Sequence, residues 1–136
     1  MTRQEIKAFK RHLKKHYYFY ICKVNDLHED IEILYWQMSG DKGLDYTKLK
    51  GQTNQQAINN YKLTLSEQIE TLEQEAIKYE QKLLEIENVL NKMVDVDREM
   101  FRLKYLKHMS YMQIGEKFYL STSAVYKQME KALEKI

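Results

Sequence analysis

The stretch Asp97-Arg-Glu-Met-Phe-Arg-Leu-Lys-Tyr-Leu-Lys-His-Met-Ser-Tyr-Met-Gln-Ile-Gly-Glu-Lys-Phe-Tyr-Leu-Ser-Thr-Ser-Ala-Val-Tyr-Lys-Gln-Met-Glu-Lys-Ala-Leu-Glu-Lys-Ile136 decides how the chain is read. Met100, Phe101, Leu103, Leu106 and Met109 recur at helical spacing, and Ser110 then interrupts the pattern with a side chain suited to an N-cap. The spacing predicts one helix running to Met109 and a second, short helix opening at Tyr111. Met112, Ile114, Gly115, Phe118 and Leu120 form the expected buried side of the short helix, with Gly115 placed where a neighbouring helix leaves no room for a β-carbon. Ser121 is the next cap. Val125, Met129, Ala132, Leu133 and Ile136 follow at steps of three and four, so a third helix has one apolar stripe and an opposite stripe of Thr122, Ser123, Tyr126, Lys127 and Lys131.

Two helices joined by a short turn, the second with polar and basic groups facing outward, have the geometry that fits a DNA major groove. On this reading Thr122, Ser123, Tyr126, Lys127 and Lys131 are the candidates for the groove-facing stripe, and Ser110, Tyr111 and Lys117 are better placed for the DNA backbone. Taken singly, Lys127 and Lys131 read as solvated charges on an amphipathic helix. The order of caps and short helices carries the inference.

The same segment resembles the fourth conserved region of bacterial sigma factors and the regulators that share it. The resemblance runs without a gap from Arg98 to Ile136, with Arg98-Glu99 before the first helix, Tyr105 near its end, Ser110-Tyr111 opening the second and Ser121 opening the third. Tyr119 stands where that family usually has Gly in the turn, and Ala124 where Gly is common. Tyr119 thus takes a side chain through a turn that often wants a positive φ. Upstream, Ser39-Gly-Asp-Lys-Gly-Leu-Asp-Tyr-Thr-Lys-Leu-Lys-Gly-Gln-Thr-Asn54 lies between two long helical stretches and resembles small phage-encoded regulators of the ArpU and RinA type. The resemblance implies double-stranded DNA as partner, control of late or packaging genes, and RNA polymerase as a further candidate partner. Residence in the cytoplasm of the bacterial host is expected because no apolar run approaches a membrane span and no signal peptide is read.

With 136 residues the chain makes one domain or one and a half, and with no proline its long helices meet no obstacle. The only β-looking cluster, His16 to Cys22, falls inside a helical pattern. From Thr2 to about Met38, apolar residues recur at Ile6, Phe9, Leu13, Tyr17, Tyr20, Val24, Leu27, Ile31, Leu34 and Met38, in steps of three and four with one doubled four. That is coiled-coil periodicity with a stutter. Ile58, Tyr61, Leu65, Ile69, Leu72, Ala76, Tyr79, Leu83, Ile86, Leu90 and Met93 repeat the pattern. Each helix spans roughly 50 Å at 1.5 Å per residue. Gly40, Gly43 and Gly51 between them can reverse the chain. The expected fold is all-α: a long antiparallel, coiled-coil-like hairpin over residues 1–93 with its loop near 39–53, followed by a helix-turn-helix unit over 94–136.

A net charge of +2 hides an uneven distribution. Arg3, Lys7, Lys10, Arg11, Lys14 and Lys15 crowd the start against the single acid Glu5, and the second long helix is acidic through Glu67 to Glu87. An antiparallel hairpin would bring the basic start beside that acidic end and close to the helix-turn-helix. Two readings follow: Lys10, Arg11, Lys14 and Lys15 pair with Glu80, Glu85 and Glu87, or they add phosphate contacts flanking the recognition helix. Ile33, Tyr35, Trp36 and Leu44 lie outside the main stripe near the hairpin tip, which implies a partner, first of all a second copy in a homodimer or higher homo-oligomer. Tyr46 could equally pin the loop back on the helices.

Little points to catalysis. Cys22 is the only cysteine, which excludes an internal disulfide and a Cys-rich metal site. His12 and His16 have zinc-chelating spacing, but Leu13 occupies the position where a metalloprotease helix needs its Glu. No nucleophile order or phosphate loop appears, no run is long enough to span a membrane, and no signal peptide is present, so no enzyme activity, metal, cofactor or membrane is expected. The leading expectation is a DNA-binding transcriptional regulator of phage or prophage origin. The alternatives are a coiled-coil assembly protein whose helix-turn-helix no longer binds DNA, and an accessory fragment of a recombinase.

Overall fold

In the computed structural model, which describes residues 1–39 and 55–136, every regular element of the described residues is helical. The chain enters α1 (Arg3–His12) through a reciprocal cap: the Glu5 N–H donates to the Thr2 hydroxyl and the Glu5 carboxylate accepts from the Thr2 N–H. A π-helical turn over Leu13–Tyr17 then leads into α2 (Tyr18–Met38). The doubled step of four in the apolar pattern is Phe9, Leu13, Tyr17, and this is where the helix widens. A wider turn accommodates the surplus residue and keeps the stripe on one side, so Leu13 and Tyr17 are both fully buried. The second long helix is α3 (Gln55–Leu90). The segment read as a reversal, with its glycines, Leu44 and Tyr46, lies outside the described residues.

Three shorter helices complete the chain: α4 (Asp95–Tyr105), α5 (Tyr111–Phe118) and α6 (Thr122–Glu134). The described residues form two compact units, one of Cys22–Glu80 and one of Met1–Ile21 with Gln81–Ile136.

In the Cys22–Glu80 unit the two long helices run antiparallel. Later residues of α2 meet earlier residues of α3: the Tyr35 hydroxyl donates to Glu73 at 2.8 Å, and His28 Nε2 lies 2.6 Å from Glu80 Oε1. Leu27, Ile31, Ile69 and Ala76 make the buried seam, with Leu34, Met38, Leu72 and Tyr79 packed against it. All of them are residues of the two periodic stripes.

The other unit buries Ile6, Leu13 and Tyr17 from the N-terminal helix together with Ile86 and Leu90 from the end of α3. Met100, Phe101, Ile114, Val125, Met129 and Leu133 from the three short helices complete its core. Here α1 packs against α6, and α4 packs against the π-helical turn, α5 and α6. Tyr17 donates its hydroxyl to Glu87, whose second oxygen accepts from Arg102 at 3.1 Å, so one carboxylate ties the N-terminal helix, α3 and α4 together.

Candidate nucleic-acid interface

The helix-turn-helix is built by its caps. α4 ends at Tyr105, short of the expected Met109, because the chain leaves the helix through Leu106 to Met109 with His108 at a φ of 55°. Half-buried Met109 is tied back by its N–H donating to the Leu103 carbonyl at 3.1 Å rather than by continuing the helix. Ser110 then caps α5 as its spacing predicts: its hydroxyl accepts from the Gln113 N–H, and the Gln113 side chain accepts from the Ser110 N–H. Ser121 caps α6 by accepting from the Ala124 N–H.

The turn between α5 and α6 rests on two residues. Tyr119 takes the left-handed conformation, φ 59° and ψ 41°, that its place in the turn demands. Gly115 is buried and essential to that turn, although its neighbour differs from the helix expected. A β-carbon there would lie 2.4 Å from the Leu120 carbonyl oxygen, so the turn's own backbone fills the space. The Leu120 N–H donates back to the Gly115 carbonyl at 2.8 Å, which draws the turn in that close.

Of the expected buried side of α5, Ile114 and Gly115 are buried and Phe118 is half-buried, whereas Met112 is 59% exposed and Leu120 is also exposed. An eight-residue helix presents only about two turns, and its contact with α4 and α6 is completed by Ile114 alone of the long apolar residues buried in full. On α6 the burial follows the sequence pattern: Val125, Met129, Ala132 and Leu133 are buried, and Thr122, Ser123, Tyr126, Lys127 and Lys131 are exposed. The buried Asp97 of α4 accepts from the Gln128 amide at 2.8 Å and fixes α6 across the unit.

A ladder of two phenols with a cation at each end joins four helices. The Lys104 ammonium lies 4.3 Å from the Tyr111 ring centre, Tyr111 meets Tyr126 edge-to-face at 5.5 Å, and Lys10 of α1 lies 4.6 Å from the Tyr126 ring. Lys10 is further held in an ion pair with Glu130. Burial raises the hydroxyls of Tyr105 and Tyr111 above the ordinary tyrosine range, and nearby phenols reinforce the shift, so both remain neutral donors. Tyr126, read from the sequence as groove-facing, is 46% exposed and carries the ladder. Ser123, Lys127 and Lys131, at successive steps of four, form the uncovered line of α6, and among the described residues neither lysine is in an ion pair. Lys117 is exposed on α5, and Ser110 and Tyr111 open that helix.

Two of the three acids read as partners for the basic start are engaged otherwise: Glu80 meets His28, and Glu87 meets Tyr17 and Arg102. Lys10 finds Glu130 instead, and among the described residues no ion pair involves Arg11, Lys14 or Lys15. Lys10 reads from the sequence as a basic residue but with other partners, and the roles of Lys104 and Asp97 do not read from it at all, since each meets a residue on a different helix.

This is a capped short helix, a left-handed turn and a second helix with an open polar line, all packed on a preceding helix. Residues 83–136 match the family model of sigma-70, region 4. The matched portion is therefore a helix-turn-helix domain of the kind that binds DNA in transcription regulation. No curated protein and no solved structure matches the chain. The region 4 match begins at Leu83, so it takes in the last two turns of α3, while α1, which packs on α6, lies outside it. Among the described residues no helix is long and apolar enough to cross a membrane, and no group of three or more His, Cys, Asp or Glu could hold a metal ion.

Proposed function

We propose that the protein is a sequence-specific transcriptional regulator, encoded by a phage or prophage, that reads its operator with α6. The observation that carries the reading is the open line Ser123, Lys127, Lys131 on the second helix of a region 4 helix-turn-helix. Such a line supplies a hydroxyl and two long donors for base edges and flanking phosphates. Thr122, at the start of α6, stands beside it, and Tyr126 positions the helix through the ladder. Ser110, Tyr111 and Lys117 face the DNA backbone from α5. The hairpin dimerises or meets RNA polymerase: Ile33, Tyr35 and Trp36 leave apolar surface exposed on α2, Trp36 to 58%, and apolar surface of that kind supports association.

Titration of matched and scrambled duplexes from the protein's own genomic neighbourhood tests the reading. Lys127→Ala is expected to relax base preference at a few positions by about 1 to 3 kcal/mol, whereas Lys117→Ala weakens all sequences alike. Two chains per matched site in the same titration would accord with pairing through the hairpin. The reading fails if the protein binds neither duplex in a salt-sensitive way, or if the two substitutions exchange their effects.

A further inference from the structure

On the side of α1 turned toward α4 and α5 there is a groove of 750 Å³. Its charged walls come from three elements: Lys10, Arg11 and Lys14 of the N-terminal helix and Lys104 near the end of α4, with His108 in the turn that follows. Among the described residues no carboxylate lines it. The neighbouring groove on the other side of Lys10 makes the contrast plain, because there Glu130 and Glu134 face the cations of α1. Lys10 is engaged by Glu130 and Tyr126, but Arg11, Lys14 and Lys104 have no ion-pair partner among the described residues.

Arg11, Lys14 and Lys104 line one groove without a carboxylate among them, so their charges repel and each would be better solvated apart, whereas Lys10 beside them has Glu130. Packing of α1 on α6 and the Lys104 to Tyr111 contact hold them together nonetheless. The floor adds polar groups suited to an anion: the phenols of Tyr105 and Tyr111, and the first turn of α5 with Ser110 and Gln113. That turn presents the positive end of a helix dipole. The groove adjoins the proposed reading helix, since Tyr111 on its wall touches Tyr126 of α6, one residue from Lys127.

We propose that this groove grips the sugar-phosphate backbone of duplex DNA beside the major groove that α6 enters, which makes the N-terminal helix part of the DNA-binding surface. The proposal rests on the DNA-reading function of α6. It assigns the two tasks to different elements: α6 selects sequence, and Arg11, Lys14 and Lys104 supply sequence-independent, salt-sensitive affinity from α1 and α4. Those of α1 lie outside the region 4 match.

The test is a set of binding isotherms for the full chain on matched and scrambled duplexes, from about 50 to about 200 mM salt. Each phosphate contact removed lowers the slope of log affinity against log salt by about 0.9. The double variant Arg11→Gln, Lys14→Gln is expected to lower the slope by about 1.8 and to weaken both duplexes by the same factor, leaving the matched-to-scrambled ratio at its wild-type value. Lys104→Gln should lower the slope further, and Lys78→Gln on α3 should leave it unchanged. Circular dichroism of each variant confirms an intact fold, and since Arg11 and Lys14 are exposed, the double variant is the one on which the outcome rests. If it retains the wild-type slope and affinity while wild type still discriminates the two duplexes, the backbone site is overturned and α6 reading stands. A loss confined to the matched duplex also overturns it, because the groove would then read bases. If wild-type binding shows no salt dependence on either duplex, both proposals fall.

Discussion

Tyr119 and Gly115 hold the turn between α5 and α6 by opposite means. Tyr119 adopts a left-handed backbone at a cost of about 1 to 2 kcal/mol for a residue with a β-carbon, and at 96% exposure its ring recovers almost nothing by packing. Glycine removes that cost but loses about 0.5 to 1 kcal/mol of chain entropy on folding. Tyr119→Gly is therefore expected to stabilise the protein by about 0.5 to 1 kcal/mol, read as a higher urea midpoint. Gly115→Ala is expected to do the reverse. Alanine improves helix propensity by about 1 kcal/mol, but its β-carbon meets a backbone carbonyl that cannot rotate away. Against an overpacking cost at the upper end of about 1 to 3 kcal/mol, a net loss of about 1 to 2 kcal/mol follows. A neutral Gly115→Ala would refute the close approach. The importance of both positions was legible in the sequence, through Ile-Gly inside a short helix and a side chain where Gly is usual. The left-handed His108 was not, because Lys107-His108-Met109 contains no glycine or asparagine to mark it.

Among the elements, the N-terminal helix shows how periodicity and packing divide the work. Its stripe predicts which residues are buried, and the doubled step of four coincides with the π-helical turn. Tyr17, at the end of that turn, is held by Glu87 beside Arg102. Burial, then the hydrogen bond and charge of Glu87, raise its hydroxyl above the ordinary tyrosine value. The folded state thus favours the protonated phenol. With an unfolded pKa of about 10, this contribution is fully present below about pH 10 and is lost as pH rises toward the folded value. Tyr17→Phe should cost about 1.5 to 3 kcal/mol near neutral pH, as expected for a hydrogen bond to a charged group. The gap between wild type and variant should narrow in urea melts above about pH 10; a gap that widens instead would assign the buried hydroxyl the wrong role.

At the scale of the whole molecule, the region 4 match covers residues 83–136, but the compact unit that contains it also includes Met1–Ile21. Ile6, Leu13 and Tyr17 are buried there, and α1 packs on α6. A fragment of residues 83–136 is accordingly expected to melt at lower temperature and with a broader transition than the full chain, by far-ultraviolet circular dichroism. Equal melting of the two would show that the N-terminal helix adds nothing to this unit. The sequence by itself determined that the chain is helical, the stripes of the long helices and of α6, and the caps at Ser110 and Ser121, because these depend on residues within a few positions of one another. The end of α4 at Tyr105 and the exposure of Met112 on α5 and of Leu120 just after it were decided by packing. Only the tertiary structure decided which partner each charge meets: Lys10 with Glu130, Glu87 with Tyr17 and Arg102, and Arg11, Lys14 and Lys104 around one groove. A charge pattern states which signs are available along the chain, whereas the field at a site depends on distances that exist only once separate helices have packed.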